Sequence, residues 1–282
     1  MESSHERDAV WWGDFSFDDN DAARWRVGPS TLWIYRSAQA WHVITLESDD
    51  ALADSAESND PAPIEQTELS MDDLPRDAVV SRYSFQSADS VCRLHPVLAD
   101  RAVVVRPDIP LYVLPDERVT LYVSTPLWIR VEVGASSRLL QEVPSFRPSD
   151  TWFGPSTREG ELCYAGKTAG RLRLQDLPRR LHRAITPIHV RNFGADALHI
   201  DRVQVPVQYL SLFEGKDHFL WTQAVTLDRE TAGDVATVRF EESDIPKEAG
   251  PTTQLGGPRL HVRTNMIVRT FSSLFHRSSL DN

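Results

Sequence analysis

The residues Gly166-Lys167-Thr168 match the end of a phosphate-binding loop, in which a lysine and a hydroxyl group bind a nucleotide phosphate. Such a loop has another glycine five positions before its second glycine, so that successive backbone N–H groups curl round the phosphates. That position is Glu161, whose carboxylate repels phosphate, and Gly160 lies one residue too early. The alternation after Gly170 predicts a strand where the loop requires a helix. We therefore expect Lys167 in a hairpin turn and no nucleotide site.

Nine histidines raise the question of a metal site. His189 and His199 lie on either side of a predicted hairpin turn, and Asp201 follows two positions later, so three ligands of the zinc type can be imagined there. No two histidines in the chain are two or four positions apart, however. The pattern favours polar side chains on an exposed strand face, and we predict no metal and no cofactor.

A hydrolase needs an activated nucleophile, and the sequence contains no Gly-x-Ser-x-Gly motif. Cys163 paired with a histidine is the alternative. Because Cys163 lies in an alternating strand, where cysteines are usually buried and unreactive, we assign no catalytic residue.

Trp11, Trp12 and Trp25 stand near acidic residues, which is a loose match to a sugar-binding site. Tryptophan is largely buried on average, so packing in a core or at a sheet edge is the favoured interpretation. The paired carboxylates elsewhere, such as Asp49-Asp50, lie in loop-like sequence and are expected to be solvated.

Most apolar segments alternate with polar residues, a pattern typical of antiparallel strands with one solvated face. In residues 118–124 and 127–133 the odd-numbered positions are mainly apolar, and Pro126 separates the two segments. Frequent prolines exclude long helices. The pattern predicts an all-β fold of two antiparallel β-sandwich-like modules, with a short C-terminal tail that can be helical.

The expected domains are an amino-terminal β module over residues 1–135, a β-sandwich module over residues 150–241, and a linker with an amphipathic tail over residues 242–282. Residues 134–150 form the boundary between the modules. Trp152 and Phe153 follow it, and we expect this aromatic pair to anchor the junction and to bind a partner.

An acidic loop is expected over residues 48–68. Residues 48–63 are mainly Asp, Glu, Ser, Ala and Pro, which cannot bury enough apolar area to offset the entropy of ordering the chain. We expect a solvated, dispensable loop. An acidic arm that binds a basic partner is the alternative.

The tail contains apolar residues that can form a helical stripe from Ile267 onward. Two ways of burying them are open: as a last strand or helix on the protein's own sheet, or as a helix in the groove of a partner. The tail residues predicted to bind a partner are Leu260, Ile267, Phe271, Leu274 and Phe275.

The net charge of −11 is concentrated in the first quarter of the chain, where residues 1–78 hold 18 acids and 5 bases. This distribution argues against nucleic-acid binding, which needs a basic surface. No apolar run approaches the length of a membrane span. With a polar amino terminus and only Cys92 and Cys163 as thiols, we expect a cytoplasmic protein with reduced cysteines, and one bridge between the two is the alternative.

The central stretch and the segment after residue 184 contain a set of short motifs: Trp152-Phe153-Gly154-Pro155, Gly160-Glu161-Leu162-Cys163-Tyr164-Ala165, Thr168, Ala184, Pro187, Asn192, Val203, Pro206 and Leu210-Ser211-Leu212. With these residues the chain resembles, over about residues 31–228, a family catalogued as domain of unknown function 432. The family has no established activity. The resemblance implies an accessory protein of a small-conductance mechanosensitive channel, beside whose genes the family occurs.

We therefore expect a non-enzymatic interaction protein, an accessory or regulatory subunit bound to the cytosolic side of a mechanosensitive-type membrane channel. Its partner is a protein, and a partner of this kind would bring it to the inner face of the membrane. A carbohydrate- or small-ligand-binding β module is the first alternative, and a hydrolase with an unrecognised site is the second.

Overall fold

The computed structural model describes residues 10–51, 54, 62–66, 74–230, 235–240, 245–261, 266–269 and 271–272. The predicted all-β fold is confirmed, because almost all regular structure in these ranges is strand, with short 3-10 turns at Leu174–Asp176, Val207–Tyr209 and Lys247–Ala249. Within the same ranges, no helix has the length and apolar character needed to cross a membrane.

The strands are β1 Gly13–Ser16, β2 Ala22–Val27, β3 Ser30–Ser37, β4 Ala40–Leu46, β5 Ala62–Gln66, β6 Val79–Ser84, β7 Val91–Leu98, β8 Val103–Val105, β9 Leu111–Val113, β10 Arg118–Val133, β11 Arg138–Pro144, β12 Asp150–Phe153, β13 Glu161–Ala165, β14 Arg183–Asn192, β15 Leu198–Ile200, β16 Arg202–Val205, β17 Leu212–Glu214, β18 Leu220–Thr222, β19 Val225–Arg229, β20 Val235–Phe240, β21 Thr253–Gly256, β22 Met266–Arg269 and β23 Phe271–Ser272.

The strands form three sheets of five or more members in the described ranges. The main sheet has the order β1-β7-β10-β14-β18-β17-β21, with β11 beside β10 and with β19, β20 and β22 continuing from β14. The amino-terminal sheet has the order β5-β2-β3-β4-β6, and the outer sheet has the order β12-β13-β8-β16-β23. Strands β9 and β15 form a separate pair.

Strand β10 is 16 residues long and contributes to both predicted modules. Its first part pairs with β14 up to Pro126, and its second part pairs with β7 from Leu127 onward. Pro126 therefore does not end the strand, contrary to our expectation. Pro126 lies where the pairing partner of β10 changes from β14 to β7, so the absence of a backbone N–H group is tolerated there.

Two apolar cores lie on this shared strand and include most of its odd-numbered residues, as the alternation predicted, although the even-numbered Trp128 is buried as well. One core packs the end of β10, from Ile129 to Val133, against the amino-terminal sheet and includes the buried Trp11, Trp25 and Trp41. The other packs the start of β10, including Leu121 and Val123, against the outer sheet. The burial of Trp11 and Trp25 matches the interpretation that favoured packing over sugar binding.

Three segments differ from their predicted structure. Residues 62–66 of the expected acidic loop form β5, which pairs with β2. The boundary at 134–150 contains β11, which pairs with β10. The strand predicted after Gly170 is absent from the described chain: Gly170 makes an isolated bridge to Pro107, and β13 pairs with β12 and β8. In each case the local sequence indicated a strand or a loop, but it did not indicate which other strand the segment would pair with.

Gly28 shows how closely the amino-terminal sheet meets the rest of the chain. It stands in the turn between β2 and β3 with a φ of 58°, a left-handed conformation that favours glycine. A Cβ atom built on it would lie 2.6 Å from the ring of His182, which is fully buried. Only a residue without a side chain fits between this turn and His182.

Gly28→Ala should lower the free energy of unfolding by about 2 kcal/mol or more, because it combines backbone strain with a collision against a buried ring. Urea denaturation followed by tryptophan fluorescence measures the change. Gly257→Ala is the matched control, since no atom lies within 4 Å of the position that its new methyl group would occupy. The control should leave stability unchanged or raise it by up to about 1 kcal/mol. Equal stability of the two variants would contradict the close contact.

Candidate functional site

The β12–β13 hairpin presents an apolar pair at the edge of the outer sheet. Trp152 faces Leu162 across the two strands, and the residues are 41% and 47% exposed. The Trp152 Nε1–H donates a hydrogen bond to the Ser156 carbonyl at 2.8 Å, which fixes the indole against its own loop. Leu162 was not among the residues predicted to bind a partner, although it lies opposite Trp152 in the hairpin.

The two aromatic residues of this hairpin have different environments. Phe153 is 2% exposed and packs with Val104 and Cys163. Trp152 projects into solvent and does not anchor a junction, contrary to our expectation. We now assign the larger contribution to stability to Phe153. Whether Trp152 and Phe153 bind a partner stays a prediction.

Two glycines close the loop of the hairpin. A Cβ atom on Gly154 would collide with the backbone of Glu159 and Gly160, and one on Gly160 would lie 2.5 Å from the Phe153 carbonyl oxygen. The same atom would lie 2.8 Å from Trp152 Nε1. The close backbone approach explains both glycines and holds the indole in its exposed position.

Cys163 is buried in the hairpin. Its Sγ atom lies 3.5 Å from Gln204 Nε2 and 3.7 Å from the Glu161 carbonyl oxygen. Burial, followed by the Glu161 carboxylate, raises the pKa of the thiol to about 12. A thiolate is therefore scarce near neutral pH, and Cys163 is a poor candidate for a nucleophile. Burial also raises the pKa of Cys92 to about 12.

The imagined metal ligands have other partners. The predicted hairpin of His189 and His199 is wrong, because β14 pairs with β10, β18 and β19 while β15 pairs with β9. His189 Nδ1 lies 2.9 Å from the Thr120 hydroxyl, and the His199 ring stacks on Tyr112 at 4.6 Å between centroids. Across the described ranges, no group of three or more His, Cys, Asp or Glu residues is placed to hold a metal ion.

Arg183 and Asp50 form a buried ion pair. The Arg183 Nη1 donates to Asp50 Oδ2 at 3.0 Å, and the side chains are 1% and 0% exposed. The same guanidinium donates to the Ser124 hydroxyl at 2.9 Å, to the Ser124 carbonyl at 2.7 Å and to the Thr168 hydroxyl at 3.3 Å. His182 Nε2 lies 3.3 Å from the same Asp50 oxygen. Several hydrogen bonds therefore compensate the burial of the charges.

Asp50 and Asp54 correct the expectation that the start of the acidic stretch is solvated. The carboxylate of Asp54 accepts hydrogen bonds from Arg171 Nη2 at 2.9 Å and from the Ala169 N–H at 3.2 Å. Burial lowers the pKa of Arg183 and of His182, and Asp50 opposes both shifts. No local sequence signal distinguishes Asp50 from the exposed Asp49 beside it.

A cavity of about 320 Å³ opens where the outer sheet meets the Gly166–Ala169 loop. Its charged lining consists of Asp54, Arg106, Lys167 and Arg202. The chain does not enter a helix after Lys167, so the backbone geometry of a phosphate-binding loop is missing, as the sequence indicated. Arg106 and Arg202 were not predicted, because they are distant from Lys167 in the sequence.

A second cleft, of about 390 Å³, lies between the β7–β10 pair and the segment around β21. Part of its lining is apolar, and its polar lining consists of His95, Arg130, Glu132 and Arg259. Arg130 and Arg259 both pair with Glu142, at 2.8 and 2.6 Å. Although burial acts in the opposite direction, these two arginines lower the pKa of Glu142.

The described part of the tail forms strands and not the helical stripe that the spacing predicted. Ile267 lies in β22, which pairs with β20, and Phe271 lies in β23, which pairs with β16. Leu260 is half-exposed, and its N–H donates to the Gln208 carbonyl. Leu274 and Phe275 lie outside the described residues. The part described is thus added to the protein's own sheets, the first of the two open possibilities.

A family model described as protein of unknown function (DUF432) matches residues 11–276. The match covers nearly the whole chain, including the hairpin, the buried ion pair and both cavities. No curated protein and no solved structure matches the chain.

Asp50→Asn should lower the free energy of unfolding by about 3 to 5 kcal/mol, because it leaves the Arg183 charge buried without a counter-ion. Asp49→Asn is the control, since Asp49 is exposed, and it should change stability by no more than about 0.5 kcal/mol. Urea denaturation of the two variants checks the prediction. A small loss for Asp50→Asn would mean that the stretch is as dispensable as its composition indicated.

Proposed function

The chain belongs to the DUF432 family of proteins of unknown function, and we propose that it is a non-enzymatic interaction protein that binds a protein partner through the Trp152–Leu162 edge. The observation that carries the proposal is this exposed apolar pair on the hairpin at the edge of the sheet, with Trp152 on the edge strand β12 and Leu162 on its neighbour β13. Tryptophan is enriched among the residues that dominate binding energy at protein interfaces. A tryptophan held by its own loop also loses little conformational freedom on binding.

Strand β12 offers the partner more than side chains. In the described part of the chain it pairs with β13 alone, so its other edge is open to a further strand. Addition of a partner strand to such an edge is a common mode of peptide recognition, in which alternate side chains give specificity. The edge and the Trp152–Leu162 pair together support an extended peptide as the bound element.

The partner we propose is a mechanosensitive-type membrane channel, to which this protein would bind as an accessory or regulatory subunit. The family resemblance supports this choice, since the chemistry of the edge alone would fit many protein partners. Binding would occur on the cytosolic side and would bring a cytoplasmic protein to the inner face of the membrane.

The state of the candidate nucleophile favours an interaction protein over a hydrolase. The pKa of Cys163, at about 12, leaves almost no thiolate at neutral pH, and the His189 ring pairs with Thr120. Cys163 was the nucleophile considered for a hydrolase, and His189 is one of the histidines that could have been its base.

A second candidate function is binding of a small ligand in the 390 Å³ cleft. The cleft volume lies within the usual range for such sites, and an apolar floor with a few polar groups is their usual lining. It is a more specific basis for this function than the tryptophans near the amino terminus, because Trp11 and Trp25 are buried.

The small-ligand function predicts saturable binding of a glycan or metabolite that Gly256→Trp abolishes. Gly256 lines the cleft, and no atom lies within 4 Å of a Cβ built on it, so a side chain can be introduced there without a collision at its Cβ. A glycan array and a metabolite screen by thermal shift measure binding. Ligands that bind the variant as well as the natural protein would argue against this cleft.

For the main proposal, Trp152→Ala combined with Leu162→Ala should abolish co-purification of a channel from native membranes and shift the melting temperature by no more than a few degrees. Leu172→Ala is the control, because Leu172 is 52% exposed and lies outside the hairpin, and it should retain the partner. Phe153→Ala should destabilise the fold by about 3 kcal/mol or more. Undiminished channel recovery with the double variant would contradict the proposed edge.

A further inference from the structure

We propose that the cavity lined by Arg106, Lys167 and Arg202 binds a phosphate group. The three cations come from three neighbouring strands of the outer sheet. Arg106 follows β8, Lys167 lies two residues beyond β13, and Arg202 begins β16. The inference concerns a site separate from the Trp152–Leu162 edge and does not depend on the proposed function.

The strand register brings these cations together. Strands β8 and β13 are parallel with Ala165 beside Val104, so continuing the register puts Lys167 beside Arg106. Strand β16 is antiparallel to β8 with Val203 beside Val105, so the next pair is Arg202 beside Arg106. The Gly166 N–H donates to the Val104 carbonyl at 2.7 Å, which keeps the loop close to β8 beyond the last pair. Three cations thus form one row across the sheet.

Such a row is unfavourable by itself, because like charges at facing positions of neighbouring strands repel each other. Asp54 is the carboxylate in the cavity lining, and it is already shared with Arg171 and the Ala169 N–H. Within the described ranges, neither Lys167 nor Arg106 forms an ion pair or a side-chain hydrogen bond. A bound anion would relieve the repulsion.

The positions of the cations are partly fixed in advance. The guanidinium of Arg202 lies over the Phe153 ring at 5.6 Å from its centroid, and Phe153 is itself buried. Lys167 is half-buried, and its loop is tied to the Arg106 carbonyl through the Gly170 N–H. A site with fixed cations loses less entropy when it takes up a ligand.

A phosphate monoester fits this arrangement better than a single carboxylate does. Its charge approaches two at neutral pH, and its oxygens can accept bonds from two guanidinium groups and an ammonium at once. The cavity volume of about 320 Å³ exceeds the needs of one phosphate and leaves room for the group that carries it. Recognition here rests on side chains from separate strands, in contrast to the backbone cradle of a nucleotide-binding loop.

Asp54 acts in this scheme as an internal competitor. Its carboxylate already lies in the cavity lining, about where negative charge is favoured, and it belongs to the acidic stretch that Asp50 attaches to the protein body. Removing the Asp54 charge should strengthen phosphate binding. If the cavity cations did not bind phosphate, removing the Asp54 charge would have no effect on phosphate binding.

The test is isothermal titration of the full chain with glycerol 3-phosphate, with a parallel sedimentation assay on phosphatidylcholine vesicles that contain phosphatidic acid. Arg106→Gln with Lys167→Gln should weaken binding at least tenfold, and Asp54→Asn should strengthen it about two- to fivefold. Lys247→Gln is the matched control, because Lys247 is an exposed lysine outside the cavity, and it should leave binding unchanged. Melting curves establish that each variant is folded, and the single glutamine variants replace the double one if it is not.

Binding of glycerol 3-phosphate would identify a soluble phosphate ester as the ligand, and binding to the acidic vesicles alone would identify a lipid headgroup. Either result supports the proposal when it depends on Arg106 and Lys167. The proposal is overturned if neither probe binds at low ionic strength, or if Lys247→Gln weakens binding as much as the cavity variants do.

Discussion

The fully buried charge of Arg183 is the constraint on which the surrounding structure depends. A guanidinium removed from water must be paired and hydrogen-bonded, or the fold cannot retain it. Asp50, Ser124 and Thr168 meet this requirement, and they come from the acidic stretch, the middle of β10 and the cavity loop. One side chain therefore fixes the relative positions of three distant segments, including the loop that carries Lys167.

The two faces of the outer sheet carry different sets of side chains. Tyr164, Val103 and Val203 face the main core, which fixes the strands. The alternate positions carry the small Phe153–Cys163 cluster and the cationic row. The same short strands carry the core-facing side chains and those on the opposite face. The packing of the core therefore also restrains the positions of the side chains on the opposite face. The edge pair Trp152–Leu162 lies on a hairpin whose own glycines hold it in place.

The local sequence pattern was sufficient to predict where strands occur, but it was not sufficient to predict which strands pair with each other. The alternation of residues 118–133 predicted the odd-numbered face of β10 as buried, because a strand's faces follow from its own sequence. It placed Trp128 outside, and that was wrong, since Trp128 is buried in the main core. It did not reveal that β10 continues through Pro126 or that β14 and β15 pair apart, since pairing depends on contacts across the whole chain. Composition likewise described the acidic stretch as a whole and could not identify Asp50. The cationic row could not be predicted from the sequence, because Arg106, Lys167 and Arg202 become neighbours only through the register of the sheet.

The long separation of contacting segments has a consequence for how the chain is made. The Trp11 indole donates to the Leu181 carbonyl, 170 positions away, and Arg259 reaches the Leu98 carbonyl across 161 positions. On the ribosome the first strands emerge well before the residues that cover them, so a nascent chain exposes apolar sheet faces until more than half of the protein has been synthesised. Such intermediates aggregate readily and fold slowly, because distant segments must meet before their contacts stabilise anything. Biosynthesis of this protein therefore calls for chaperones that shield the growing chain.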